Sequence, residues 1–167
     1  MKAALVVLCA ATSSTVAQPA TLRNANPGEI ASAFAAGPRP RVVHIWSSVC
    51  APCVADLPKL LPALRARRAQ LDVTFIALDE PAKAFDAANL LQKNGGVPGL
   101  SLRVTLSEAA MFSIHAVDPA WNGAIPSTYL VSAAGRVLLA QRGLTDLDAL
   151  VSAADQIARD PKSTSTR

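Results

Sequence analysis

Two of the three cysteines in the chain, Cys50 and Cys53, lie three residues apart at the end of the segment VVHIWSSVCAPC. An apolar run here meets the start of a predicted helix, so both thiols lie on one helix face, one turn apart. Unpaired amide groups and the positive end of the helix dipole stabilise a thiolate at such a position. In C-x-x-C settings the thiol pKa falls to roughly 3.5–7.5. The pair is therefore suited to thiol–disulfide exchange, in which one sulfur attacks and the other resolves the mixed disulfide.

Two other uses of the pair remain open at this stage, an inert disulfide and a zinc site. A bridge that closes so small a loop adds little stability, because it excludes few unfolded conformations. A zinc site needs four ligands, and apart from Cys9 in the first 17 residues the chain has no second C-x-x-C and only His44 and His115 as further soft ligands. The spacing therefore favours a redox pair that needs no metal and no organic cofactor, with the electrons carried by the sulfurs of Cys50 and Cys53.

The elements that must position this pair follow from the hydrophobic pattern. Val42–Trp46 is an apolar run interrupted by His44, as is typical of a strand covered on both faces. The other predicted elements are a short helix over 26–37, a helix from about 52 to 70, a strand over 72–79, a helix over 80–96, a strand over 100–106, a helix capped by Ser107, a hairpin over 127–143 that turns at Ala134-Gly135, and a last helix that opens with Thr145 and Asp148 in capping-box spacing. This alternation predicts an α/β fold, a mixed sheet with helices on both faces and a C-terminal antiparallel hairpin.

The first residues have the pattern of a secretory signal peptide over 1–17. Lys2 precedes a short apolar region, and Thr15-Val16-Ala17 offers small residues for cleavage after Ala17. The apolar run is far shorter than the roughly 20 residues that span a bilayer, so no stable membrane span is expected in the mature chain. Cys9 lies inside this segment, but it follows Leu8 where a lipoprotein signal has a small residue, which argues against lipid anchoring. We expect an exported, periplasmic protein.

Composition bounds the rest of the chain. With 51% apolar and 17% charged residues, it can bury a core, which we place in one domain over 25–158 followed by a flexible tail over 159–167. The chain has 16 basic and 12 acidic residues, and removal of Lys2 with the signal lowers the net charge from +4 to +3. The basic run Arg65–Arg68 is interpreted as a solvated helix face, so no nucleic-acid partner is expected.

Taken in order, these motifs resemble those of the thioredoxin fold and, within it, the exported TlpA/ResA-like thiol–disulfide oxidoreductases. The residues that carry the resemblance are Trp46, Cys50, Pro52 and Cys53 of the strand–Trp–x–x–x–Cys–x–Pro–Cys pattern, Pro58 at the position of the helix-kinking proline, Pro126 in GAIPSTYLV, and Gly143 at the end of the closing hairpin GRVLLAQRG. The ordered set is far more specific than C-x-x-C alone. The sequence leaves the isomer of Pro126 open, and the resemblance implies that it is cis.

The resemblance implies a thioredoxin-like mixed sheet and a set of roles. Cys50 would attack and Cys53 would resolve, while Ile125 and Pro126, with Trp46 and Pro52, would bind the substrate. The partners would be protein thiols and disulfides and a membrane electron donor, with the chain acting as a reductant in cytochrome c maturation or copper-centre assembly. Two other functions stay open, a copper-handling chaperone that uses the same thiols and a non-catalytic thioredoxin-fold interaction module.

Three positions depart from the family pattern. Val49 stands where the family usually has Trp before the first cysteine. His44 stands where thioredoxin has a buried acid; a buried imidazole is neutral and can accept the proton of Cys53, unless it is only a core histidine. Asp56 stands where the family commonly has Glu, and either tunes the Cys53 thiol or merely complements the helix dipole.

Overall fold

The computed structural model describes residues 22–159. The elements in chain order are β1 (Arg23–Asn24), α1 (Gly28–Ala33), β2 (Arg41–Trp46), α2 (Ala51–Ala66), β3 (Asp72–Leu78), α3 (Ala84–Lys93), β4 (Leu100–Val104), α4 (Glu108–Val117), β5 (Ser127–Val131), β6 (Val137–Arg142) and α5 (Leu147–Arg159). The predicted signal over 1–17, with Cys9, and the predicted tail beyond Arg159 lie outside the described residues. Within residues 22–159, no helix is both long enough and apolar enough to cross a membrane.

The strands form one six-stranded mixed sheet in the order β1-β4-β3-β2-β5-β6. Strands β1 to β4 are parallel to one another, β5 runs antiparallel to β2, and β6 runs antiparallel to β5. The predicted α/β architecture and the closing hairpin are therefore confirmed. The two-residue strand β1 was not predicted, because so short a segment carries no periodicity.

Helices cover both faces of the sheet, and alternate residues of each strand enter the two cores. On β2, Val42 and Trp46 pack with α2, α3 and α5 in a first core, whereas Val43 and Ile45 pack with α1 and α4 in a second. We call these the α2-side core and the α1-side core. Because a strand alternates, His44 lies on the same face of β2 as Val42 and Trp46 and so belongs to the α2 side.

The antiparallel pairing of β2 and β5 places the candidate site. Ile45, near the carboxyl end of β2, pairs with Ser127 at the amino end of β5. The loop that precedes β5 therefore lies at the same sheet edge as the turn between β2 and α2. Cys50 belongs to that turn and Ile125 to that loop, so two residues 75 positions apart in sequence meet there.

One local prediction about the last helix is wrong. Thr145 was expected to cap α5 together with Asp148, but Asp146 takes that place: its side chain accepts from the N–H of Ala149 and its carbonyl from that of Leu150. Thr145 lies one residue earlier and makes other contacts. Thr and Asp are both good capping residues, so adjacent candidates cannot be separated from sequence alone.

Candidate redox site

Cys50 and Cys53 form a disulfide at the N-terminus of α2, with Cα atoms 5.2 Å apart. Cys50 is the N-cap residue in extended conformation, and its sulfur accepts a hydrogen bond from the backbone N–H of Cys53 at 3.3 Å. Pro52 occupies the first turn, where a missing N–H costs nothing because the helix leaves that group unpaired. The predicted placement of both cysteines at the start of a helix is confirmed.

The carboxylate of a buried aspartate stabilises the turn that leads into Cys50. Asp79, buried just after β3, accepts hydrogen bonds from the hydroxyl of Ser47 and from the backbone N–H of Ser48 at 3.0 Å. The N–H of Cys50 in turn donates to the carbonyl of Ser47 at 3.2 Å. Sequence reasoning missed Asp79, and its only signal was an acid at the end of a buried strand.

The two sulfurs differ in accessibility. Cys50 is half-buried, whereas Cys53 is fully buried in the α2-side core. Exposed neighbours flank Cys50, namely Val49, whose exposed fraction is 69%, and Pro52. An external thiol can therefore reach Cys50 but not Cys53.

The loop before β5 lies against the disulfide. The peptide bond between Ile125 and Pro126 is cis, and the Ile125 carbonyl oxygen lies 3.7 Å from the sulfur of Cys50. The loop is fixed from behind by the N–H of Gly143, which donates to the Pro126 carbonyl at 2.8 Å, and by the indole of Trp121, which donates to the Ala124 carbonyl at 2.9 Å. Ile125 is half-buried beside Cys50, so this residue is partly accessible next to the sulfur.

Two of the predicted substrate-binding side chains do not face outward. Trp46 is fully buried and belongs to the same α2-side core as Cys53, so the prediction that it contacts substrate is not supported. Pro126 is also buried, so it shapes the loop while Ile125 and Pro52 remain at the surface. A tryptophan at the carboxyl end of a central strand is favoured in a core by its area alone.

His44 is buried in the middle of the sheet, and burial lowers its pKa to about 3, so the imidazole is neutral. Its ring packs against Phe75 with centroids 4.7 Å apart, and its Nδ1 atom lies 2.9 Å from the Thr128 hydroxyl. The other nitrogen, Nε2, is buried and finds no hydrogen-bond partner among residues 22–159. His44 is thus a core histidine whose hydrogen-bond partner is a side chain and not the backbone.

Asp56 lies on α2, one turn after Cys53, and is half-buried. Its carboxylate accepts a hydrogen bond at 2.9 Å from the backbone N–H of Thr145, in the loop between β6 and α5. The Thr145 hydroxyl lies 2.8 Å from that of Thr128, which contacts His44. His44 and Asp56, predicted separately, are thus joined through two threonines that sequence reasoning did not select.

The donor set gives little support to a metal centre. No group of three or more His, Cys, Asp or Glu side chains in the described part of the chain is arranged to hold a metal ion. His115, the second histidine, is exposed and packs edge-on against Trp121.

No family model and no curated protein matches this chain, but solved structures do. StoA from Bacillus subtilis is 16% identical with a TM-score of 0.52, over 70% of this chain and 82% of that one. A secreted disulfide oxidoreductase of Mycobacterium tuberculosis is 15% identical with a TM-score of 0.55, over 72% and 83%. A DsbF homologue from Corynebacterium diphtheriae is 16% identical with a TM-score of 0.59, over 72% and 73%. At such identities the likeness establishes the fold, which is thioredoxin-like as predicted.

Proposed function

We propose that this chain, whose fold is thioredoxin-like, is an exported thiol–disulfide oxidoreductase that reduces protein disulfides. The observation that carries the proposal is the disulfide between Cys50 and Cys53, with one accessible sulfur at a helix N-terminus beside the backbone of Ile125. Two similar solved structures are described as a thiol:disulfide interchange protein and a disulfide oxidoreductase, which agrees with it. The proposed setting is the periplasm, in cytochrome c maturation or copper-centre assembly, with electrons from a membrane donor.

The reaction needs two exchanges. In the reduced protein, the Cys50 thiolate attacks a substrate disulfide, forms a mixed disulfide and releases one substrate thiolate. Cys53 then loses its proton and attacks the Cys50 sulfur, which frees the second substrate thiolate and restores the internal disulfide. Two electrons pass to the substrate, the two released thiolates take up two protons, and a donor must reduce the pair again.

The helix end supports the first exchange. The N–H of Cys53 that bonds the Cys50 sulfur, together with the positive end of the α2 dipole, favours the thiolate over the thiol. The burial of Cys53 keeps the second sulfur from foreign thiols until the mixed disulfide has formed. Attack by Cys50 and resolution by Cys53 is the division of roles that this accessibility supports.

Docking and proton transfer complete the proposal. An extended substrate segment would pair with the Ile125 backbone and pass over the exposed Pro52 and Val49. The imidazole of His44 is neutral, and because a pKa of about 3 makes it a weak base, we assign it the role of a relay that takes the proton Cys53 must lose while releasing another. Asp56 lies one turn after Cys53 on α2.

The direction of electron flow rests on analogy. The dipeptide Ala51-Pro52 between the cysteines is nearer to the Gly-Pro of thioredoxin than to the Pro-His of strongly oxidising relatives. Equilibration with glutathione buffers measures the potential directly. A value near the roughly −270 mV of thioredoxin supports a reductant, and one near the roughly −120 mV of DsbA overturns that direction.

The chemistry itself is tested by trapping. We expect the Cys53→Ser variant to accumulate mixed disulfides with a model disulfide protein, because nothing resolves them, and the Cys50→Ser variant to form none. Full activity in the Cys50→Ser/Cys53→Ser double variant would refute catalysis and leave an interaction module. Tight, stoichiometric Cu(I) binding by the reduced protein, without disulfide reduction, would instead identify a copper chaperone.

A further inference from the structure

A line of polar groups runs from the middle of the sheet to the loop between β6 and α5. His44 Nδ1 lies 2.9 Å from the Thr128 hydroxyl oxygen, which lies 2.8 Å from the Thr145 hydroxyl oxygen. His44 and Thr128 are buried, whereas Thr145 is half-buried. Both separations are those of hydrogen bonds, so the line is continuous from the interior to a partly exposed residue.

The proposed reaction needs such a path. Cys53 is fully buried, so a proton that leaves its thiol has no direct access to water. His44 lies on the face of β2 that packs into the same α2-side core, and its ring contacts Phe75 of that core. A proton accepted by His44 in this core must still reach solvent before the next catalytic cycle.

The donor and acceptor in each of these hydrogen bonds can be assigned from the partners available to the two ring nitrogens of His44. If Nδ1 carries the proton, it donates to Thr128, Thr128 donates to Thr145, and Thr145 donates outward, which leaves Nε2 with a free lone pair. The reverse order would bury an Nε2–H donor without an acceptor among residues 22–159, the costlier kind of unpaired group. The first order also leaves Nε2 unprotonated and therefore able to take up a proton released in the α2-side core.

We propose that Thr128 and Thr145 are positioning residues that hold His44 with its proton on Nδ1 and carry protons between the buried imidazole and solvent. In the forward step Nε2 takes up the proton that Cys53 loses while Nδ1 passes its own to Thr128, Thr128 passes one to Thr145 and Thr145 releases one to water, so His44 stays neutral. When the donor reduces the pair again, the same steps run in reverse and return the proton to Nδ1. One proton enters and one leaves, and no redox partner is needed. The inference rests on the proposed function, because it assigns the route by which Cys53 is deprotonated.

The test replaces the Thr128 hydroxyl and keeps the shape. Thr128→Val removes the hydroxyl at constant volume, and Thr128→Ser retains it. Thr74→Val is the matched control, since Thr74 is a buried strand threonine on β3 whose neighbours Val73 and Phe75 face the α2-side core while it faces away. The single-turnover rate of mixed-disulfide resolution and the ¹⁵N shifts of the His44 ring are measured in each.

We expect Thr128→Val to slow resolution by about tenfold or more, which is part of the roughly 10²–10⁴-fold that general acid–base catalysis contributes, and to mix the two His44 tautomers. Thr128→Ser should restore the resolution rate and the single tautomer, and Thr74→Val should change neither the rate nor the tautomer. An unchanged resolution rate and an unchanged tautomer in Thr128→Val would overturn the inference.

Thr145 provides a second test if Thr128→Val fails to fold. Thr145→Val removes the outer hydroxyl but keeps the backbone N–H that binds Asp56, so we expect slower resolution that Thr145→Ser rescues. A resolution rate equal to that of the unaltered protein overturns the route. Formation of the mixed disulfide by Cys50 is the readout that separates the two proposals: it stays unchanged if only the route is wrong, and it is absent in every variant if the redox function is wrong.

Discussion

Lowering the pH from about 7 to about 5 should destabilise the protein through His44, with the sign and window set by its burial. Burial lowers the pKa of the imidazole to about 3, whereas an unfolded chain has an ordinary value near 6.5. Between these values the unfolded state binds a proton that the folded state does not. The contribution of His44 to the free energy of unfolding is therefore fully present above the pKa of the unfolded chain, and it is lost as the pH falls toward the pKa of the folded protein.

The magnitude follows from the gap between the two pKa values. Each pH unit below about 6.5 shifts the equilibrium by about 1.4 kcal/mol, so the loss at about pH 5 is about 2 kcal/mol. The whole effect, reached near pH 3, is of order 5 kcal/mol, which rivals the total stability of a small domain. Because the side chain is fully buried, solvent does not screen this term.

Urea unfolding of the oxidised protein at the two pH values checks the prediction, with His44→Asn as the variant that cannot titrate. Its amide keeps a polar group near Thr128, so the comparison concerns the pH dependence and not the absolute stability. His115→Gln removes the other histidine, which is exposed, and should retain the dependence of the unaltered protein. Equal pH dependence in His44→Asn and the unaltered protein would refute the account of a buried, neutral imidazole.

Two further predictions concern stability away from the site. Asp118→Asn should lower the free energy of unfolding by about 2–4 kcal/mol in denaturant, because the buried carboxylate accepts a hydrogen bond from a buried tyrosine hydroxyl and pairs with an arginine. Asp155→Asn alters a surface ion pair and should lower it by less than about 1 kcal/mol. Equal losses in the two variants would contradict the role of burial. Gly99→Ala should lower the melting temperature far more than Gly123→Ala, because a Cβ at residue 99 would lie 2.1 Å from the Val73 carbonyl oxygen. At residue 123 only the positive φ of 89° disfavours an alanine, at a cost of about 1 kcal/mol. The opposite ranking would refute this explanation.

The elements around the site could be predicted because their patterns are strong and local. The apolar run of β2, the two cysteines that open α2 and the turn at Gly135 of the hairpin each carry a signal within a few residues. The capping of α5 was assigned to the wrong residue because Thr145 and Asp146 are adjacent and both suit the position. The predicted and observed capping residues are adjacent, but because Thr145 was assigned to the cap, its contact with Asp56 was not predicted.

The contacts that organise the site could not be predicted, because they join distant segments. His44 and Thr128 are 84 residues apart in sequence, and their contact depends on the register of β2 against β5. A register shifted by one residue would turn Thr128 to the other face of the sheet. Composition and spacing do not determine a register, so neither threonine stood out among the polar residues of its segment.

The short loop after β6 links the parts of the site that would bind substrate and those that would move protons. The N–H of Gly143 supports the Pro126 carbonyl, and two residues later Thr145 binds Asp56 through its N–H and Thr128 through its hydroxyl. Consistency between local pattern and fold would favour apolar side chains at the buried positions of this region, and departures from that consistency are expected at functional sites. Their convergence on one loop, against the same helix that carries both cysteines, is what a shared role in thiol–disulfide exchange would require.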